Sequence, residues 1–210
     1  MTNQYVLCSF FICITVISSI CFVGCDKPNL KDNTAEILVF NVDESKVESI
    51  FEDTELKIRF ASPKGWKKVD ESMVAQVVMA VDTSPMDGLE IIPRSIFLNE
   101  DSKAVCILSK IDWKGIVPDE KLLQSLTIAY QNQFPKANVK QGLFIKDAFR
   151  IHQLMVITSE SVLIKLICDS SETLVFGVDY HVPIEVYKSE LSAIESSIGS
   201  IDLIDNISKK

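Results

Sequence analysis

The sequence predicts an α+β fold, a three-layer α/β/α sandwich around a central, mainly antiparallel sheet of about six strands. Three observations lead there. Along residues 56–210 the apolar residues recur at two-residue steps in some stretches and at three- to four-residue steps in others, so strands and helices share one domain. The last strands are joined by links of only a few residues, too short for a parallel crossover, so they pair as an antiparallel meander. One of them, about 161–169, is apolar on both sides. Val162, Ile164, Leu166 and Cys168 face one way, Leu163 and Ile167 the other, and Lys165 is the exception. Such a strand needs cover on both faces, which predicts helix, sheet and helix.

Composition bounds the function. The 210 residues are 47% hydrophobic and 24% charged, which excludes a collagenous, low-complexity or wholly disordered chain. A formal charge of -8 with no gathered basic patch excludes nucleic acid as a partner.

The first twenty-five residues stand apart from the rest. From Tyr5 to Gly24 no side chain is charged and apolar residues dominate, as in an export signal or a membrane helix. The run ends in Phe22-Val23-Gly24-Cys25, followed at once by Asp26, Lys27 and Pro28. This resembles a bacterial lipoprotein signal, although Phe22 stands where Leu is commoner and no Lys or Arg precedes the apolar run. The resemblance implies that Cys25 receives a diacylglyceryl group and becomes the mature N-terminus. The alternative is an uncleaved anchor helix, about 20 residues long and just sufficient to span a bilayer. Either way the folded part is expected outside the cytoplasm, tethered to the cell membrane or an outer membrane. Of the 6 cysteines, Cys8, Cys13 and Cys21 lie in the signal. Cys106 and Cys168 remain for the exported chain, where a disulfide and two buried free thiols are both open.

Residues 26–55 carry nine acids against three lysines, a balance of -6 that reads as an acidic tether whose early part, 26 to about 35, is a solvated spacer. Within it Ile37-Leu38-Val39-Phe40 is expected to pair with the domain as an added strand or to pack as a staple. The domain itself is expected over 56–210. Leu56, Ile58 and Phe60 alternate with Lys57 and Arg59, a strand that ends at Pro63-Lys64-Gly65-Trp66. Met73, Val74, Val77, Val78 and Val81 after Asp70 predict a helix over 70–82. Strands follow at 89–98 and 103–112, the first carrying Pro93 and hence an edge or a bulge. A helix over 118–134 has Pro118 at its start, Leu122, Leu126, Ala129, Tyr130 and Phe134 on one stripe, and Pro135 at its stop. Strands at 139–146, 149–158, 161–169 and 173–182 complete the sheet. The last helix, 183–198, opens at Pro183, buries Val186, Tyr187, Leu191, Ile194 and Ile198, and closes at Gly199.

This order of elements, with Phe60, Pro63, Gly65 and Trp66 at one end and Asp179-Tyr180, Pro183, Tyr187 and Glu195-Ser196-Ser197-Ile198-Gly199-Ser200-Ile201 at the other, is similar to PsbP-like domains. The resemblance covers roughly 56–202. It implies an α/β/α sandwich of the kind found in an extrinsic photosystem subunit and a yeast Ran-binding import factor, and members that mostly act as non-enzymatic accessory or binding subunits. It maps no set of functional residues onto this chain.

The residues themselves offer little chemistry. The 7 glycines are scattered singly, so there is no phosphate-cradling loop. No two cysteines or histidines have zinc-ligand spacing, and serine nucleophile elbows are missing. Asp179 lies two positions before His181 on one strand face and would be placed to orient its ring, whereas the structural reading makes His181 a half-exposed residue capping the next helix. His152, beside Leu154 and Val156, reads as packed or at the rim, and a site from Cys106, Cys168, His152 and His181 would require all four to converge. Ser196, Ser197 and Ser200 lie at a helix C-terminus, where anions are disfavoured, and are expected to let the helix stop close to the sheet. Trp66 and Trp113 follow strand ends beside Lys67, Lys68 and Lys114, as anchors for a protein partner or as indole plugs over the sheet edge. Asn206-Ile207-Ser208 matches a glycosylation sequon that carries no information in a bacterial lipoprotein.

The expectation is therefore a lipid-anchored, non-catalytic binding or accessory module with no metal or cofactor. Asp179, His181, Trp66 and Trp113 are its candidate surface site. A small-molecule or metal-binding domain, and a hydrolase without a recognisable motif, are the alternatives.

Overall fold

The computed structural model describes residues 36–37, 40–70, 74, 90–112, 120–170 and 175–204, with backbone alone at 36–37 and 120–123. The chain divides into two units, Met1–Asn33 and Thr34–Lys210, of which the first lies outside the described residues. So do the signal, Cys25, the early tether, Trp113 and the sequon. Of the helix expected over 70–82 only Asp70, which is not helical, and Val74, which is helical in backbone, are described.

In chain order the elements are β1 (Glu36–Ile37), a 3-10 turn (Glu44–Lys46), β2 (Phe51–Asp53), β3 (Ile58–Phe60), β4 (Lys67–Lys68), β5 (Glu90–Leu98) and β6 (Val105–Asp112). After them come α1 (Glu120–Gln133), β7 (Asn138–Lys146), β8 (Phe149–Ile157), β9 (Ser161–Ser170), β10 (Val175–Pro183), α2 (Ile184–Gly199) and β11 (Asp202–Leu203). The fold is α+β with mostly antiparallel sheets. An eight-stranded sheet has the order β1-β7-β8-β9-β10-β6-β5-β4, and a three-stranded sheet the order β11-β3-β2.

Two features differ from the sequence expectation of about six strands in one sheet. The large sheet has a body of six strands, each eight to ten residues long, plus the two-residue edge strands β1 and β4. The strand expected near 56–60 joins β2 and β11 in a separate sheet instead. Both lysines of β4 are exposed at the edge, where charge discourages pairing with another chain. β1 pairs parallel with β7, which fits the long stretch of chain between them.

β7 to β10 form the meander, antiparallel throughout. Along β9 every residue from Val162 to Cys168 is buried. Alternation sorts them. Val162, Ile164, Leu166 and Cys168 join Phe176, Val178, Tyr180, Phe60, Trp66 and the α2 residues Ile194 and Ile198 in one cluster. Leu163 and Ile167 join Ile111, Leu154, Val156 and the α1 residues Leu126 and Tyr130 in another. In β5 the register shifts between Pro93 and Ser95, a bulge that lets Ile91 reach the second cluster and Phe97 the first. Arg94, inside that bulge, reaches Asp53 at 3.5 Å and Glu55 at 2.7 Å and so ties the small sheet to the large one.

The acidic segment is not all tether. Val47 is buried and bridges Pro63, Phe40 packs on Phe144, and Phe51 meets Phe97 edge-on. Its acids have local partners. Asp43 accepts from the Ser45 amide at 3.0 Å, Glu48 accepts from the Gly65 amide at 2.8 Å, and Asp53 accepts from the Glu55 and Leu56 amides at 3.0 and 2.9 Å. The hydroxyl and amide of Ser45 hold the Asp43 carboxyl below its usual range, and the Gly65 amide does the same for Glu48.

The serines at the end of α2 fasten the fold. Ser197 Oγ donates to the Ala61 carbonyl at 2.7 Å, so its 2.9 Å contact with the Tyr180 hydroxyl has Tyr180 as donor. Ser200 Oγ accepts from the Ala61 amide at 2.9 Å, and Ser196 Oγ accepts from the Asp43 amide at 3.2 Å. Gly199 admits the N-terminal segment: a Cβ there would meet Phe40 Cβ at 2.8 Å and Val42 Cγ2 at 3.0 Å. Small side chains at this turn let two backbones approach; the sequence expectation is an approach to the sheet, whereas the approach at Gly199 and Ser196 is to residues 40–43.

Candidate functional site

The polar side chains with the most unusual surroundings lie on the α1 side of the sheet, on its central strands. β10 runs between β9 and β6, with Asp179 opposite Lys165 and Gly177 opposite Ser109. Lys165 Nζ donates to Asp179 Oδ2 at 2.5 Å, and the two residues are 4% and 2% exposed. Between them and α1 lies a cavity of about 10 Å³, lined by Ser109, Gly177, Lys165 and Asp179 with Ile91, Ile111, Leu126 and Ile167 among its walls. That is near one water in size, well short of the few hundred Å³ a metabolite needs.

Asp179 and His181 share a strand face, but the carboxylate is directed to Lys165 rather than to the imidazole. The dyad a hydrolase would use is not formed. His181 is half-buried, opposite Val105 and Leu163, and its Nε2 has no hydrogen-bond partner among the described residues. Burial pushes its pKa down to about 4, with Asp179 opposing and Lys165 reinforcing the shift. The ring is thus neutral near pH 7 and caps no helix, since Pro183 stands at the N-cap of α2. His152 is buried with Leu154 and Val156 on the α1 side.

Cys106 and Cys168 are free and belong to the opposite cluster, so the sheet separates both thiols from both histidines. They cannot bridge each other. β10 lies between their strands, Cys106 opposite Tyr180 and Cys168 opposite Phe176. The Cα atoms are therefore about 10 Å apart across the sheet and about 13 Å along it, beyond disulfide reach. Burial raises both thiol pKa values, which makes them inert. No group of His, Cys, Asp and Glu suited to a metal occurs among the described residues.

Trp66 and Asp179 do not form a surface site. Trp66 is 0% exposed, packs edge-on against Tyr180 and donates from Nε1 to Glu190 Oε2 at 3.1 Å. The indole is a plug under α2 because its large apolar face is worth about 1.5–3 kcal/mol when buried and its N–H finds a carboxylate at the rim. Sequence reasoning marks Lys165 only as the exception on its strand and does not single out Ser109. For Lys165 the signal was available: two opposite charges, Lys165 and Asp179, stand among apolar neighbours in the middle of consecutive strands. Lys146 is similar, a buried lysine donating to the Ile201 carbonyl and to Asp147, each at 2.7 Å.

No protein-family model matches this chain, and no curated protein matches it. Among solved structures it is similar to cyanobacterial PsbP (CyanoP) from Synechocystis sp. PCC 6803, at 13% identity and a TM-score of 0.48, over 78% of this chain and 95% of that one. It is also similar to the Ran-binding protein Mog1p of Saccharomyces cerevisiae, at 9% identity and a TM-score of 0.43, over 74% of this chain and 95% of that one. The likeness concerns the fold alone and assigns this chain no activity, ligand or partner.

Proposed function

We propose that this chain is a non-catalytic binding or accessory module, a three-layer α/β/α sandwich held on the outer side of a membrane by a lipid on Cys25. The observation that carries the reading is the burial of its polar machinery. Lys165 is spent on Asp179, Ser197 on Tyr180 and Ala61, and Trp66 on Glu190. These contacts specify the packing of sheet, α2 and small sheet, and they leave recognition to the surface. Attachment is proposed from the sequence Phe22-Val23-Gly24-Cys25 that ends the apolar run; among the described residues no helix is long and apolar enough to cross a membrane.

With residues 40–53 packed on the domain, the spacer read from the sequence, about 26–35, serves as the tether in this proposal. From Cys25 to the start of β1 at Glu36 only residues 26–35 are left as spacer. Fully extended, they reach about 35 Å, which keeps the module within one small-domain diameter of the bilayer. Confinement of that kind raises effective concentration toward a neighbouring membrane complex, so modest affinity suffices.

Mass spectrometry of the membrane fraction tests the anchor. A diacylglyceryl group on an N-terminal Cys25, and its loss with release from Gly24 blocked in Cys25→Ser, is expected; an unmodified Cys25 still joined to Gly24 refutes it. Crosslinking of the membrane-bound protein tests the module. One dominant partner is expected, and recovery of none above background counts against a binding role.

A further inference from the structure

We infer that the cavity enclosed by β6, β9, β10 and α1 is a binding site for one ordered water molecule, held by Ser109 Oγ and Asp179 Oδ1. Three independent features converge on it. The first is a pair of oxygens. Asp179 Oδ2 is taken by Lys165, but Asp179 Oδ1 and Ser109 Oγ have no hydrogen-bond partner among the described residues, and the two side chains are 2% and 1% exposed. Leaving either oxygen bare at that depth costs free energy that native folds rarely tolerate.

The second is the space. Ser109 and Asp179 both line a cavity of about 10 Å³, at the threshold for one water and too small for anything larger. The third is the glycine that makes the space. Gly177 sits in the middle of a buried strand, where glycine weakens the sheet, and its backbone is not in the left-handed region that would demand it. A Cβ at Gly177 would enter the cavity side and meet Ile111 Cδ1 at 3.2 Å. The missing side chain therefore keeps open a polar gap beside the Lys165–Asp179 pair.

The chemistry selects water over an ion. Lys165 opposes a cation, and Asp179, whose carboxylate already balances Lys165, opposes an anion. A neutral donor and acceptor fits: water can donate to Asp179 Oδ1 and either donate to or accept from Ser109 Oγ. Apolar Ile111, Leu126 and Ile167 line the cavity's other described walls and offer the molecule no competing hydrogen bond.

Crystallography of the full chain, at a resolution that orders internal waters, is the direct test. One peak within hydrogen-bond distance of both oxygens is expected, and a cavity without such a peak overturns the assignment. Urea midpoints of the full chain in mild detergent supply a second test through Gly177→Ala, made alone and with Ser109→Ala. Expelling the water should lower the midpoint less when Ser109 has already lost its hydroxyl. An equal shift in both backgrounds, or a raised midpoint of the kind a methyl gives on filling a dry void, overturns the site. Should Gly177→Ala not fold, Ser109→Ala keeps the walls intact: the peak is expected to weaken or vanish, and an unchanged peak overturns the proposal.

Discussion

Replacing Asp179 by Leu removes one charge of the pair at the centre of the sheet and leaves the Lys165 ammonium without its carboxylate. The side chains of Lys165 and Asp179 are 5% and 2% exposed and their charged atoms are 2.5 Å apart, so neither can turn to solvent without moving α1. A buried pair broken on one side costs about 3–5 kcal/mol, against a total stability of about 5–15 kcal/mol for a domain of this kind. With a urea slope of about 2 kcal/mol per molar, the midpoint of Asp179→Leu should fall by about 2 M. The double variant Lys165→Met with Asp179→Leu removes both desolvation penalties and matches the apolar neighbours Ile167 and Leu126. It is expected to regain the wild-type midpoint or to exceed it by the equivalent of about 1–4 kcal/mol. Far-UV circular dichroism during urea titration at pH 7 reads both. A loss below about 1 kcal/mol in Asp179→Leu, or a double variant less stable than either single one, would refute the view that the pair is sealed inside the sheet.

Other perturbations probe the remaining claims. Because the pKa of His181 falls to about 4 in the fold, the unfolded chain binds more protons below about pH 6.5, and stability is lost as pH drops from about 6.5 toward about 4. At pH 5 this amounts to about 2 kcal/mol relative to pH 7, and His181→Gln should flatten that part of the difference; an identical slope in both proteins refutes it. Gly199→Ala drives a methyl into Phe40 and Val42, so a loss of about 1–3 kcal/mol and faster proteolysis within residues 40–48 are expected, with unchanged cleavage as the contrary result. Peptide mapping after air oxidation should recover Cys106 and Cys168 as thiols that alkylate only on unfolding, and a Cys106–Cys168 linked peptide would contradict the strand order.

What the sequence made legible follows from which physical effects are local. Burial on both faces of β9 could be read from alternation alone, because one exposed face would require polar residues at every second position. The serines and glycine at the end of α2 announced a close approach, since only small side chains permit one. Partners were harder. Asp179 was linked to His181 because a strand face is visible in sequence, whereas its true partner depends on the register of β9 against β10, and a shift of two residues keeps the same face while changing the opposite number. The acidic segment misled for a related reason. Net charge counts Asp43, Glu48 and Asp53 as solvated, but each carboxylate accepts backbone amides within a few residues or from a turn it adjoins in space. Charge that closes turns does not repel in the way a spacer does. The domain therefore extends through residues 40–53, whose composition resembles a linker but whose carboxylates are tied to the backbone of the fold.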